Sequence, residues 1–63
     1  MTYIVHFYTS THEPITVGYA NTLEAAKELL GDGVFKIEED EDYPNVFSGV
    51  TNHGKVFTIH PEN

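Results

Sequence analysis

Cysteine is absent from this chain, and so is arginine. The first absence excludes a disulfide staple and any thiolate-ligated zinc centre. The second removes the planar fork that clamps phosphate or carboxylate through two parallel hydrogen bonds. Positive charge is scarce altogether: three lysines stand against ten acids, for a formal net charge of −7. Such a chain cannot build the Lys/Arg stripe that neutralises a phosphate backbone, which excludes direct nucleic-acid binding. An anionic membrane surface is excluded on the same ground. Charge steers this protein only toward a basic partner, and it also simply keeps a small protein in solution.

Long apolar runs are missing too. No segment approaches the roughly 20 apolar residues that span a bilayer. Met1-Thr2-Tyr3-Ile4-Val5-His6 has no basic stretch ahead of its apolar residues, so it does not read as a secretory signal. The expected location is the cytoplasm, with which a cysteine-free sequence is compatible.

Aromatic residues are what the chain has in supply. Its 63 residues make one domain, 1–63, and a domain this small buries only about 60% of its unfolded surface. Marginal stability follows. Four Phe and four Tyr, burying about 150–250 Å² each, form the natural core together with Val, Ile and Leu. A two-layer domain of this size leaves a sheet face or edge uncovered, so a homodimer is a further expected source of stability.

The hydrophobic period changes twice along the chain. Thr2 to Thr9 alternates Tyr3, Val5 and Phe7 with Ile4, His6 and Tyr8, the pattern of a strand covered on both faces or central in a sheet. Ser10 to Pro14 reads as a turn, and Ile15 to Ala20 as a second strand hairpinned to the first. Gly18 marks a bulge or a close approach of the helix.

Asn21-Thr22-Leu23-Glu24 opens a helix over about 22–30, with Asn21 as the expected cap and Glu24 as its capping-box carboxylate. Leu23, Ala26 and Leu30 form the apolar stripe, widened by Ala25 and Leu29. Gly31 or Gly33 ends the helix in a left-handed turn. A third strand near 33–39 runs into five consecutive acids, Glu38 to Asp42, whose repulsion predicts an exposed loop closed by Tyr43-Pro44-Asn45. Val46 to Thr51 and Lys55 to His60 are the last strands, joined by Asn52-His53-Gly54. Residues 61–63 are expected to fray. The fold class is α+β: a small single-layer, mostly antiparallel sheet with one helix packed on one face, in the order ββαβββ.

Chemistry-bearing motifs are few. His6, His12, His53 and His60 show neither H-x-x-x-H nor H-x-H spacing, so neither a metal site nor a cofactor is expected. His6 and His60 lie in the first and last strands, which are neighbours in some topologies, and a metal-responsive role for this pair is the most distant of three readings. Asp40-x-Asp42 matches the start of an EF-hand loop, but Asn45 stands where the turn glycine belongs and no Glu follows at the twelfth position. Ser10 and Ser48 are the only serines and neither sits in a Gly-x-Ser-x-Gly elbow, and the five glycines form no phosphate-cradling loop. Catalysis is therefore not expected.

Eight aromatics cannot all face one core when strands alternate. Tyr8 and Tyr43, each beside a turn, are the expected exposed ones. With Glu39, Asp40, Glu41 and Asp42 they make the candidate partner-binding set. Asp32 together with 38–42 is expected to add a negative patch at one end of the sheet. The leading reading is a small acidic, non-enzymatic protein–protein interaction module, by analogy of size a bacterial or prophage accessory protein. The alternative is an acidic inhibitor that imitates nucleic acid on a basic host protein.

Overall fold

The computed structural model describes residues 1–11 and 13–62. His12, one of the four histidines weighed above, and Asn63, the last residue of the expected frayed tail, lie outside the described residues. Five strands and one helix follow in chain order: β1 (Tyr3–Tyr8), β2 (Pro14–Ala20), α1 (Leu23–Leu29), β3 (Val34–Glu39), β4 (Phe47–Thr51) and β5 (Val56–Pro61). The sheet order is β2-β1-β5-β4-β3, with every neighbouring pair antiparallel. The ββαβββ α+β fold is therefore the observed one. No helix among the described residues is long and apolar enough to cross a membrane.

The topology follows from one crossover. The β1–β2 hairpin leaves the chain at one sheet edge, and β3 begins at the other edge. Between them α1 lies across a single face, packed on β1 and β2. The β3-β4-β5 meander then returns to the middle, so the last strand slots in beside the first.

Alternation decides which side chains meet the helix. Val5, Phe57 and Ile59 are fully buried there, with Val5 opposite Ile59 and Phe7 opposite Phe57. Ala26 and Leu30 close the cluster from the helix side, and Tyr3, Leu23, Ile37 and Phe47 pack around it. Burial of a side chain such as Phe57 or Ile59 contributes about 1.5–3 kcal/mol. Two glycines make room for this packing. A Cβ at Gly18 would sit 3.3 Å from a Leu29 methyl, and one at Gly49 would sit 2.9 Å from the Phe57 ring and run into the Lys36 carbonyl.

The helix begins one residue later than the sequence reading has it. Thr22, extended at φ −136° and ψ 159°, is the cap, and its hydroxyl oxygen accepts the Ala25 N–H at 3.1 Å. Asn21 is not the cap, so Glu24 serves as a first-turn acid that complements the helix dipole rather than as a capping-box partner. Both Gly31 and Gly33 are left-handed (φ 76° and 77°), which a Cβ would disfavour.

Both edge strands carry an extra residue. Val17 on β2 has no partner between the His6–Thr16 and Val5–Gly18 pairs, and Phe35 on β3 has none between Val34–Thr51 and Lys36–Val50. Bulges of this kind twist an edge away from further strand pairing. The far end of the chain is tied down as well. Pro61 pairs with Tyr3, and the Glu62 N–H donates to the Thr2 carbonyl at 2.7 Å, so these two residues do not form the frayed tail expected of 61–63.

Candidate interaction face and histidine pair

The helix covers one face of the sheet and leaves the opposite one open. By register, Ile4, His6 and Tyr8 of β1 point to that open face, beside Thr16 and Tyr19 of β2. His60 and Thr58 of β5 continue it across the middle. Ser48 and Val50 of β4, opposite Thr58 and Val56, extend it toward β3. Among its strand residues only Lys36 and Glu38 are charged, both on the β3 edge and 3.2 Å apart as an ion pair. Over the other four strands the face is apolar, aromatic, hydroxylic or imidazole. Tyr19, Val56 and Tyr8 are 59%, 49% and 37% exposed there, so large apolar groups meet water on a surface whose one strand carboxylate, Glu38, lies at its β3 edge. A shallow depression of about 240 Å³ between β3 and β5, lined by Ser48, Val50 and Val56 among others, belongs to the same face.

At its centre two histidines touch. His6 Nε2 and His60 Nε2 are 3.1 Å apart, and the rings lie 17° from parallel with centroids 5.1 Å apart. Their other nitrogens are occupied too. His60 Nδ1 is 3.1 Å from the Pro61 carbonyl, which only accepts, so this nitrogen carries the proton and donates. His60 Nε2 is then the acceptor for His6 Nε2–H. That leaves His6 Nδ1 to accept from the Thr16 hydroxyl at 3.3 Å. The result is a one-way chain, Thr16 to His6 to His60 to Pro61, that exists only while both imidazoles are neutral. Accordingly His6 has its pKa lowered from the usual 6.5, first by burial and second by the charge of His60.

The acidic run does something different from what its composition suggests. Glu38 and Glu39 end β3 rather than start the loop. Glu39 Oε2 accepts the Asn45 N–H at 3.0 Å, where Asn45 stands in the left-handed region at φ 67°. Asp40 Oδ1 accepts the N–H groups of Asp42 and Tyr43 at 2.8 and 3.1 Å, while its own N–H reaches the Val46 carbonyl at 2.7 Å. These carboxylates satisfy the loop's own backbone and hold its shape. All five acids from Glu38 to Asp42 are exposed, as the repulsion argument expects, and so is Tyr43, at 67%.

Asp32 does not join them. It sits at the opposite end of β3, 3.2 Å from His53 Nδ1 and 3.9 Å from Lys55 Nζ, beside the β4–β5 turn. A strand of six residues, about 17–20 Å long, lies between. The single negative patch expected of Asp32 and 38–42 is thus two separate features, one of them paired with Lys55.

The candidate set of Tyr8, Glu39, Asp40, Glu41, Asp42 and Tyr43 is likewise not one cluster. Tyr8 pairs with Pro14 at the end of the sheet where β4 and β5 meet through Val50 and Val56. The loop hangs from the Glu39–Phe47 pair at the other end, three strands away. Tyr8 does lie on the open face, with its hydroxyl 3.5 Å from Thr58 Oγ1. Tyr19, Val56 and the joined His6–His60 pair were not in the set. Parity with His6 along each strand would have selected Tyr8, Val56 and His60, but the bulge at Val17 reverses the parity that leads to Tyr19.

Among the described residues no group of three or more His, Asp or Glu side chains converges. The larger surface depression, about 410 Å³, lies on the helix side between Lys27, Glu28 and Val34 and has no histidine in its lining. Comparison with protein-family models, with curated proteins and with solved structures gives no match.

Proposed function

We propose that this chain is a non-enzymatic protein-interaction module that docks through the open face of its sheet, and that the partner is a second copy of itself. The observation that carries this reading is the lack of charge across β2, β1, β5 and β4 on that face, in a protein with a net charge of −7. Interface centres are depleted of charge and enriched in aromatics, and Tyr8, Tyr19 and Val56 supply exposed apolar area there. Glu38, paired with Lys36, is the one strand carboxylate on that face and lies at its β3 edge, so two copies can meet face to face without opposing carboxylates at the centre. The bulged edges support docking by the face over docking by the edge.

Sedimentation equilibrium over a wide concentration range tests it. A mass rising toward twice that of the monomer supports self-association. Val56→Glu, which sets a carboxylate on the face at a half-exposed position, then returns the protein to monomer, while Tyr43→Ser leaves the dimer intact. Added salt strengthens the dimer slightly by screening the like net charges. A monomer at every concentration refutes the second copy as partner.

A further inference from the structure

We propose that His6 and His60 form a two-ligand site for a transition-metal ion of the zinc, copper or nickel type, an ion that ties the first strand of the chain to the last. Two nitrogens bound to one tetrahedral ion at about 2.0–2.1 Å are separated by about 3.3 Å. The two Nε2 atoms already stand at 3.1 Å, so chelation requires that His6 shift its proton off Nε2 and that the rings tilt until both lone pairs meet at one point. Their backbone positions are set by the pairing of β1 with β5, in which Ile4 faces His60 and His6 faces Thr58. This places the histidines diagonally across two interior strands rather than on mobile loops.

The outer hydrogen bonds are those that a metal-binding imidazole uses. His60 Nδ1–H donates to the Pro61 carbonyl at 3.1 Å, which fixes the tautomer that leaves Nε2 free as a ligand. His6 reaches the same state by moving its proton from Nε2 to Nδ1 through solvent. Thr16 Oγ1, 3.3 Å from Nδ1, then switches from donor to acceptor, which a hydroxyl can do by rotating its hydrogen. The neutral pair loses no proton overall. The Nε2–H···Nε2 bond is exchanged for two metal–nitrogen bonds.

The ligand type sets the class of ion. Imidazole suits zinc, copper and nickel, whereas magnesium and calcium want oxygen donors. No third His, Asp or Glu side chain converges with this pair among the described residues, so water completes the coordination and binding is exchangeable. The site is complete in one copy of the chain and does not rest on the docking proposal. Its effect is structural: the ion cross-links residues 54 apart in sequence and binds the folded state alone.

Thermal unfolding of the full chain in zinc chloride, nickel chloride, magnesium chloride or EDTA tests the proposal, with the histidine ring nitrogens followed by NMR. An ion at roughly ten times its Kd multiplies the folded-to-unfolded ratio about elevenfold, a midpoint rise of about 5–10 °C for a domain of this size. Zinc and nickel are expected to produce that rise and magnesium is not. His60→Ala abolishes it, and His53→Ala, at the exposed turn, keeps it. In the zinc titration the Nε2 signals of His6 and His60 move together while His53 stays. If His60→Ala is too unstable to compare, the ring-nitrogen shifts of the unaltered protein decide alone. Unchanged His6 and His60 signals under excess zinc, or a midpoint rise that survives in His60→Ala, overturn the proposal.

Discussion

Replacing Gly49 by alanine adds one methyl at the most crowded point of the β3–β4–β5 wing. The new Cβ would lie 2.9 Å from the end of the Phe57 ring and inside contact distance of the Lys36 carbonyl. Phe57 cannot swing away, because it is fully buried against Val5 and Ile59. The Lys36 carbonyl cannot move without disturbing the β3–β4 ladder at the bulge where Lys36 pairs with Val50. Overpacking costs typically 1–3 kcal/mol, and a clash with backbone belongs at the top of that range, about 3 kcal/mol. For 63 residues, at about 0.05–0.15 kcal/mol each, this is a third or more of the total stability. At about 4–8 °C per kcal/mol, the midpoint falls by about 12 °C or more.

Gly31→Ala is the control. Nothing lies within 4 Å of its Cβ, so only the left-handed φ of 76° is penalised, at about 1 kcal/mol. Urea unfolding followed by circular dichroism measures both. If Gly49→Ala costs no more than Gly31→Ala, the Phe57 ring does not lie over Gly49 and the account of this wing of the core is wrong.

Three further outcomes are expected. In EDTA, stability falls as pH drops below 6.5, because the lowered pKa of His6 means that the unfolded chain takes up the proton first. The stability is fully present above 6.5 and is lost toward the folded pKa. His6→Asn flattens this window in pH-dependent urea melts, and a profile unchanged by that substitution counts against the neutral chain. Thr22→Ala costs about 1 kcal/mol in thermal melts, whereas Asn21→Ala costs only a few tenths; the reverse order would return the cap to Asn21. Asp40→Ala, which strips the acceptor from two backbone N–H groups, costs about 1 kcal/mol, while Glu41→Gln stays within about 0.5 kcal/mol. Equal effects at 40 and 41 would mean that repulsion, not loop geometry, governs this run.

The element order was legible because each element carries its own period. Tyr3 to Tyr8 alternates, Leu23 to Leu30 repeats at helical spacing, and Gly31, Gly33 and Gly54 punctuate. Such signals are local, and the strand and helix bounds follow them within a residue or two. The cap slipped from Asn21 to Thr22 because adjacent residues can both accept an N–H, and the choice depends on how the chain leaves β2. The exposure of the acidic run follows from its charge, but its hydrogen bonds do not. Composition registers five like charges, but it does not say that the exposed Glu39 and Asp40 carboxylates accept the backbone N–H groups of Asn45, Asp42 and Tyr43.

Composition alone settled that this chain has no thiol chemistry and no arginine clamp, and periodicity settled that strands flank a single helix. Tertiary structure alone decided which strands are neighbours. Nothing in the letters around His6 or His60 says that the first strand lies against the last. The pairing of β1 with β5 arises from the helix crossing the sheet and the meander returning to its middle, a consequence of the whole chain burying one apolar face. That long-range closure brings two scattered imidazoles to 3.1 Å and gathers the uncharged side chains of four strands on one open surface.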